Sequence, residues 1–228
     1  MREFNALRHY PQPKEPRYVG PSIRTIRNRI IASYRDGRYY DGERNNGYGG
    51  FQYDGRWKIV ARSLCDDYVL DEKSSLLQLG CEKGFLLHDL HEHLPGMKIR
   101  GIEISDYAVA HAMSSVRHCI TKGDFRKLPF RDTEFDFVIA IGVVYTLNLP
   151  DAISCLREIQ RVGREKSFIT LGAYQNEQGA RLLRYWTLLG TTILHVDEWL
   201  EVLKEAGYTG DYQFITAEYL NLAERPAQ

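Results

Sequence analysis

The chain has 228 residues, of which 43% are hydrophobic and 26% charged, a composition that suits one ordinary domain with a sizeable core and a short extra segment. Thirty basic side chains balance thirty acidic ones, which argues against a nucleic-acid coat or packaging protein. The apolar fraction also argues against disorder as the dominant state.

No stretch approaches 18 consecutive apolar residues, so no membrane span is expected. The opening MREFNALRHYPQPKEPRY has no apolar core of a secretory leader. Cys65, Cys81, Cys119 and Cys155 are widely spaced without a CxxC pair. They predict core thiols in a reducing cytoplasm, with neither a disulfide framework nor a cysteine metal site.

Charge is unevenly spread. Residues 1–62 hold 13 Lys or Arg against 6 Asp or Glu, and residues 63–228 hold 17 against 24. A basic front segment therefore precedes an acidic body, and either faces an anionic ligand or docks on that body. This divides the chain into a helical, Gly/Tyr-rich cap over 1–62 and a main domain over 63–228.

In the cap, Pro11, Pro13, Pro16 and Pro21 predict an extended entry. Ile23, Ile26, Ile30 and Ile31 then recur at helical spacing over 22–34, with Ser22 as a capping residue. Residues 34–57 contain seven aromatic side chains and six glycines, which read as a structured loop presenting rings. A helical pattern resumes over 57–68.

Strand and helix patterns alternate from there. Strands are predicted at 75–80, 98–104, 118–123, 135–141, 167–173 and 211–219. Between them lie helices at 84–93, 106–116 behind Ser105, 151–162, 176–189 and 197–206, the last closed by Gly207. Strands separated by helices of about 10–15 residues make βαβ units and a mostly parallel sheet. Ligands of such sheets bind beyond the carboxyl ends of the strands.

The turn Gly80-Cys81-Glu82-Lys83-Gly84 follows the first of these strands. Its glycines permit a tight turn beside helical N–H groups. It lacks the third glycine of a dinucleotide fingerprint and the Gly-Lys-Ser/Thr ending of a P-loop, which disfavours a nucleotide-dependent oxidoreductase. Glu103 ends the next strand, where a carboxylate can accept bonds from ribose hydroxyls or simply cap a helix. Asp124, in GDFRKLPF, can receive an adenine amino group beside the Phe125 ring, or form an ordinary Asx turn.

LLQLGCEKG, GIEIS, GDFRKLPFRDTEFDFVIAIGVVYTL and LREIQRVGREKSFITLGAY together resemble the ordered motifs of class I S-adenosylmethionine-dependent methyltransferases. The resemblance covers Ser75 to Ala173 and more loosely reaches Tyr219. It implies an α/β, Rossmann-like three-layer fold with a mostly parallel seven-stranded sheet whose last strand is antiparallel. It implies S-adenosylmethionine as cofactor, with Gly80 and Gly84 near its methionine part and Glu103 on the ribose. Asp124 and Phe125 would border the adenine, and Ile141 to Val143 would floor the sulfonium region. Gln78, Cys81, Ile104 and Gly142 complete the implied cofactor set. Two positions depart from the family pattern. Gln78 stands where an acid is usual and contributes no charge, and Glu82 stands where glycine is frequent.

Methyl transfer to oxygen or nitrogen needs an aligned nucleophile and removal of its proton. His195, Tyr145 and Asp54 are the candidate catalytic side chains, with Asp41 a further base. His195 precedes the last long helix and Tyr145 follows the 135–141 strand; structural roles for both stand beside these. Tyr48, Tyr53, Arg56 and Trp57, from YGGFQYDGRW, are candidate acceptor-binding residues on a lid, joined by Tyr145 and Asn148. Asn148 and Pro150 do not form the Asn-Pro-Pro-aromatic motif common in amino-group methylation of nucleic acids and proteins. The expected function is methylation of an oxygen or nitrogen of a small polar metabolite, with anionic character left open. The rival is an RNA- or protein-interaction module on the same fold, with weak or no catalysis. A cytoplasmic location and no membrane partner are expected, nucleic acid is disfavoured, and a homodimer stays open.

Overall fold

Residues 1–47 and 52–225 are described in the computed structural model. In chain order they form β1 (Arg2–Glu3), β2 (Arg17–Val19), α1 (Ile26–Ser33), α2 (Gly37–Tyr40), α3 (Lys58–Tyr68) and β3 (Ser75–Leu79). There follow α4 (Phe85–His93), β4 (Lys98–Glu103), α5 (Asp106–Ala110), β5 (Ile120–Lys122), β6 (Phe135–Ala140) and α6 (Leu149–Val162). The chain ends with β7 (Gly163–Tyr174), α7 (Glu177–Trp186), β8 (Leu194–His195), α8 (Val196–Ala206), β9 (Asp211–Ile215) and β10 (Leu222–Glu224).

The central strands are apolar at nearly every position because both their faces are covered, the usual mark of a parallel sheet between helix layers. Leu77, Leu79, Val138 and Ile169 pack against Leu156 and Ile159 of α6 and Trp199 of α8. Leu76, Phe137, Ile139 and Phe168 point the other way, against Leu64 of α3 and Leu87 and Leu90 of α4. The alternation between neighbours such as Leu76 and Leu77 is the two-residue period of a strand. Trp199, Phe137 and Phe168 are fully buried, and truncating any one to alanine costs about 3–5 kcal/mol. The Trp199 indole also donates to the Gly172 carbonyl at 2.9 Å, satisfying its polar edge. All four cysteines are buried and free.

The main sheet runs β1-β9-β7-β6-β3-β4-β5, with β8 alongside the end of β7. The Rossmann-like, parallel α/β architecture is as expected, but the closing strand is not antiparallel. β9 runs parallel to β7, from Phe168 opposite Asp211 to Gly172 opposite Ile215. The reason is the connection: α8 crosses back over the sheet and delivers the chain to the end where β7 began. After β9 the chain leaves the sheet, and β10 pairs with β2 in a separate two-stranded sheet. The outer edge is filled instead by the N-terminus, where β1 lies along β9 and Arg2 reaches the Asp211 carboxylate at 2.6 Å.

Local boundaries shift where capping chemistry decides them. Helix α1 starts after Thr25, not Ser22, because Thr25 and Asn28 form a reciprocal capping box. Ile23 is left outside that helix, and Ile26 is 73% exposed. Ser105 caps α5 as expected, but that helix ends at Ala110. Gly207 closes α8 at φ +68°. Among the described residues no helix is long and apolar enough to cross a membrane.

Candidate active site

A cavity of about 360 Å³ opens at the carboxyl ends of β3, β6 and β7. Its floor is Gln78, Gly80 and Glu82 from the β3 turn, Ile141 and Gly142 after β6, and Thr170 and Gly172 of β7. The N-terminal segment supplies Tyr10, Arg17, Arg35, Arg44, Arg56 and Trp57 to its wall, and Trp186 and Leu189 close the far side.

The β3 turn is held by the end of β4. Gly80 adopts φ +63°, and a Cβ there would collide with the Val143 side chain, so no larger residue fits without a shift. The Glu103 carboxylate accepts the Glu82 N–H on one oxygen and the Ile104 and Ser105 N–H groups on the other, all at 2.9 Å. These bonds fix the loop relative to the strand ends. They occupy three of the roughly four acceptor sites a carboxylate offers. Ser105 in turn donates to the Arg35 carbonyl at 2.6 Å, which ties the cap to the same corner.

Two acceptors at this corner keep unused capacity: Glu103, 1% exposed and outside the described cavity lining, and Gln78, which is part of that lining. Gln78 is 6% exposed, and its Oε1 is buried without a hydrogen-bond partner. An orphaned acceptor in a cavity wall calls for a donor from a bound molecule. With the remaining capacity of Glu103, this donor-seeking set fits the ammonium and hydroxyl groups of S-adenosylmethionine. Glu82 stands beside it at φ +50°, a left-handed conformation that strains a residue with a Cβ. Burial first, and the neighbouring Glu103 charge second, push its carboxyl up to about 8, against the opposing pull of Arg35 and Lys83. Burial, with Glu103 and Glu82, likewise raises the Cys81 thiol and keeps it protonated.

The N-terminal segment is tied to this corner at several points. Lys83 donates to Asp41 at 2.5 Å, and the Tyr107 hydroxyl donates to the other Asp41 oxygen at 2.8 Å. Burial opposes ionisation of Asp41, but those two bonds outweigh it and lower the pKa. Tyr53 donates to Asp89 at 2.6 Å and packs its ring on Phe85 and His88 of α4. Arg56 pairs with Asp54 at 2.5 Å, and Trp57 lies 4.5 Å from the Tyr10 ring. Arg17 lies over Trp186 at 5.1 Å and donates to the Leu220 carbonyl at 3.3 Å. Burial, then repulsion from Arg44, lowers the Arg17 pKa. Arg35 reaches the Thr146 hydroxyl at 3.5 Å. Neither Arg17 nor Arg35 makes an ion pair among the described residues.

Of the residues singled out from the sequence, Gln78, Gly80, Cys81, Ile141, Gly142, Tyr145, Arg56 and Trp57 come together around the cavity. Gly84 sits beside them as the N-cap of α4. Ile104 packs on the α6 side of the core. Phe125 is buried, with its ring 3.9 Å from where a Gly80 Cβ would stand. Asp124 is held by Arg126 at 2.6 Å, a bond that lowers its pKa. His195 lies outside the cavity lining: its Nδ1 accepts the Asp197 N–H at 3.3 Å as the cap of α8. Asp54 is engaged by Arg56, and Asn148 caps α6 through the Asp151 N–H at 3.0 Å. Tyr48 lies outside the described residues. Sequence reasoning missed Tyr10, Arg17, Arg35, Tyr39 and Trp186. The proline run around Arg17 was the available signal, since it forces an extended strap that can cross the sheet ends.

A parallel sheet in this order, with a glycine turn and an acidic strand end beside a cavity at the carboxyl edge, defines a Rossmann-like methyltransferase-type domain. The sequence profile of the family described as "Methyltransferase domain" matches residues 77–171. The fold is that of the class I S-adenosylmethionine-dependent methyltransferases, and residues 77–171 carry the match to the methyltransferase domain family. It is 30% identical over 155 residues to cycloartenol-C-24-methyltransferase of Arabidopsis thaliana, covering 58% of this chain and 45% of that protein. Cycloartenol-C-24-methyltransferase 1 of Oryza sativa subsp. japonica is 28% identical over 129 residues, covering 49% and 36%. The chain thus spans less than half the length of these curated relatives. Among solved structures, YcgJ of Bacillus subtilis superposes with a TM-score of 0.53 at 15% identity, covering 64% of this chain and 66% of that one. A chain of the Haloferax volcanii complex containing the Trm112 methyltransferase activator gives 0.50 at 19%, covering 68% and 77%. These likenesses concern the fold.

Proposed function

We propose that the protein transfers the methyl group of S-adenosylmethionine to an oxygen or nitrogen of a small, polar, anionic metabolite. The observation that carries this reading is the cavity wall: Arg17, Arg35, Arg44 and Arg56 share it with the Gln78–Glu82 floor. Glu82 is the one acidic side chain among the described lining residues. Cationic side chains collected in a partly dry site favour an anion there. Tyr10, Trp57 and Trp186 add apolar faces for the rest of the acceptor.

When bound, the cofactor supplies an activated methyl group on a sulfonium. The chain's own residues then work by placement. Gln78 Oε1 and Glu103 accept donors of the cofactor and orient it. Arg17 and Arg35 hold the acceptor's anionic end, and Tyr145 aligns the attacking atom from the β6 side. Tyr145 is suited to this because its ring is seated on the Gly172 backbone and its carbonyl is anchored by the Thr191 and Thr192 N–H groups. The cap excludes water from the reaction. The names of the plant relatives give cycloartenol as their acceptor; the arginine wall favours an anionic acceptor here.

The test is to incubate the full chain with methyl-labelled cofactor and size-fractionated cell extract. Label in small anionic molecules is the expected result. Label confined to macromolecules overturns the reading, and salt-dependent RNA binding without turnover supports the interaction-module alternative.

A further inference from the structure

We infer that Glu82 is the charge partner of the cationic methyl donor, ionising as the donor binds and thereby distinguishing it from its demethylated product. The inference rests on the cofactor reading above and concerns how that site senses charge.

Three observations place Glu82 in this role. It is the one acidic side chain among the described residues lining the cavity. The strand end that feeds the turn carries neutral Gln78, so no charge is supplied from there. The Glu82 backbone is held at φ +50° with its N–H bonded to Glu103, so its position does not drift. Strain kept at a ligand-facing position signals a requirement that glycine would not meet.

The groups facing Glu82 come from every neighbouring element. Glu103 at the end of β4 repels it, while Arg35 after α1 and Lys83 in the same turn attract it. Lys83 is already committed to Asp41. Tyr40 of α2 and the Cys81 thiol feel the Glu82 charge, and both stay protonated through burial. The balance leaves Glu82 titrating near 8, so the empty site holds it mostly as the neutral acid at neutral pH.

The methyl donor carries a sulfonium; its product carries a neutral thioether in the same frame. A cation arriving in this partly dry cavity favours the carboxylate, and the proton passes to the solvent. Loss of the methyl group removes that cation, and Glu82 takes a proton back. Donor binding should therefore strengthen relative to product binding as pH rises through the titration of Glu82.

Isothermal titration calorimetry of the full chain at about pH 7, in phosphate and in Tris, reads the proton directly. For S-adenosylmethionine the two buffers should give heats differing by the release of about one proton, and S-adenosylhomocysteine should release less than half as much. Glu82→Gln should bind both ligands with buffer-independent heats. Glu82→Gly, which fits the left-handed backbone without strain, should do the same and guards against a folding defect in the first variant. Buffer-independent heats in the unmodified protein overturn the role of Glu82 while leaving cofactor binding intact. Proton release that survives in both variants also overturns it. Absence of any binding heat overturns the cofactor reading and this inference together.

Discussion

Lys83 and Asp41 meet as an ion pair at 2.5 Å, joining the glycine turn after β3 to the N-terminal segment. The Lys83 side chain is only 10% exposed, so water competes weakly for this contact. Asp41→Asn should loosen the corner: backbone amides of residues 34–47 should exchange faster, and cofactor should bind about 5-fold more weakly, consistent with about 1 kcal/mol for a half-buried pair. Hydrogen exchange and calorimetry check both. In the unmodified protein, cofactor and acceptor together should slow exchange across the same residues.

Glu103 separates its structural and ligand roles by substitution. Glu103→Ala strands three N–H groups, one buried and two half-buried, and should destabilise the fold by about 3 kcal/mol. Glu103→Gln keeps one accepting oxygen, so the fold should survive while cofactor affinity falls about 10-fold. Denaturant unfolding and calorimetry on the two variants should show that split.

Arg17 lines the cavity, and the proposed function puts it on the acceptor side. Arg17→Gln should raise the acceptor KM about 10-fold or more with the cofactor Kd unchanged, because a charge-assisted contact is lost without touching the β3 turn. Steady-state kinetics at saturating cofactor is the check. An equal loss in both constants would place Arg17 at the cofactor instead.

Tyr145 and His195 should behave differently. Tyr145→Phe retains the ring seated on Gly172 and removes the hydroxyl, so kcat should fall about 10-fold with little change in melting temperature. His195→Ala should leave kcat near that of the unmodified protein but cost about 1 kcal/mol of stability, because the α8 cap is lost. Turnover and thermal unfolding measured side by side decide between them.

Glu82 predicts how stability depends on pH. Its folded pKa, near 8, lies above the ordinary value of 4.5. Between those values the unfolded chain releases this proton and the native protein keeps it. Stability should therefore fall as pH rises through that window, with a contribution of up to about 1.4 kcal/mol per pH unit from this group. Glu82→Gln should flatten that slope and be more stable than the unmodified protein above pH 8. Urea unfolding at a series of pH values is the measurement.

The sheet's central strands were readable from sequence because β3 and β6 are largely apolar runs each followed by a glycine turn, a local pattern that parallel burial on both faces demands. The β3 turn and Glu103 were legible for the same reason: their chemistry follows the strand ends at fixed spacing. The direction of β9 was not, since nothing in five residues says whether a helix or a hairpin returns the chain; α8 and the β1 edge strand settled it. The acceptor side was legible only in part. Trp57 and Arg56 stand out in an aromatic loop, but Arg17 and Trp186 are 169 positions apart and meet only because β2 pairs with β10 and brings the N-terminal strap onto the C-terminal region. His195 shows the converse, a reactive side chain whose nitrogen was taken by the helix it precedes. Sequence by itself determined the secondary elements, the sheet class and the cofactor motif, because those depend on neighbours within a few residues. The charge of the cavity and the strain at Glu82 were decided by tertiary structure, because they depend on which distant groups are desolvated together.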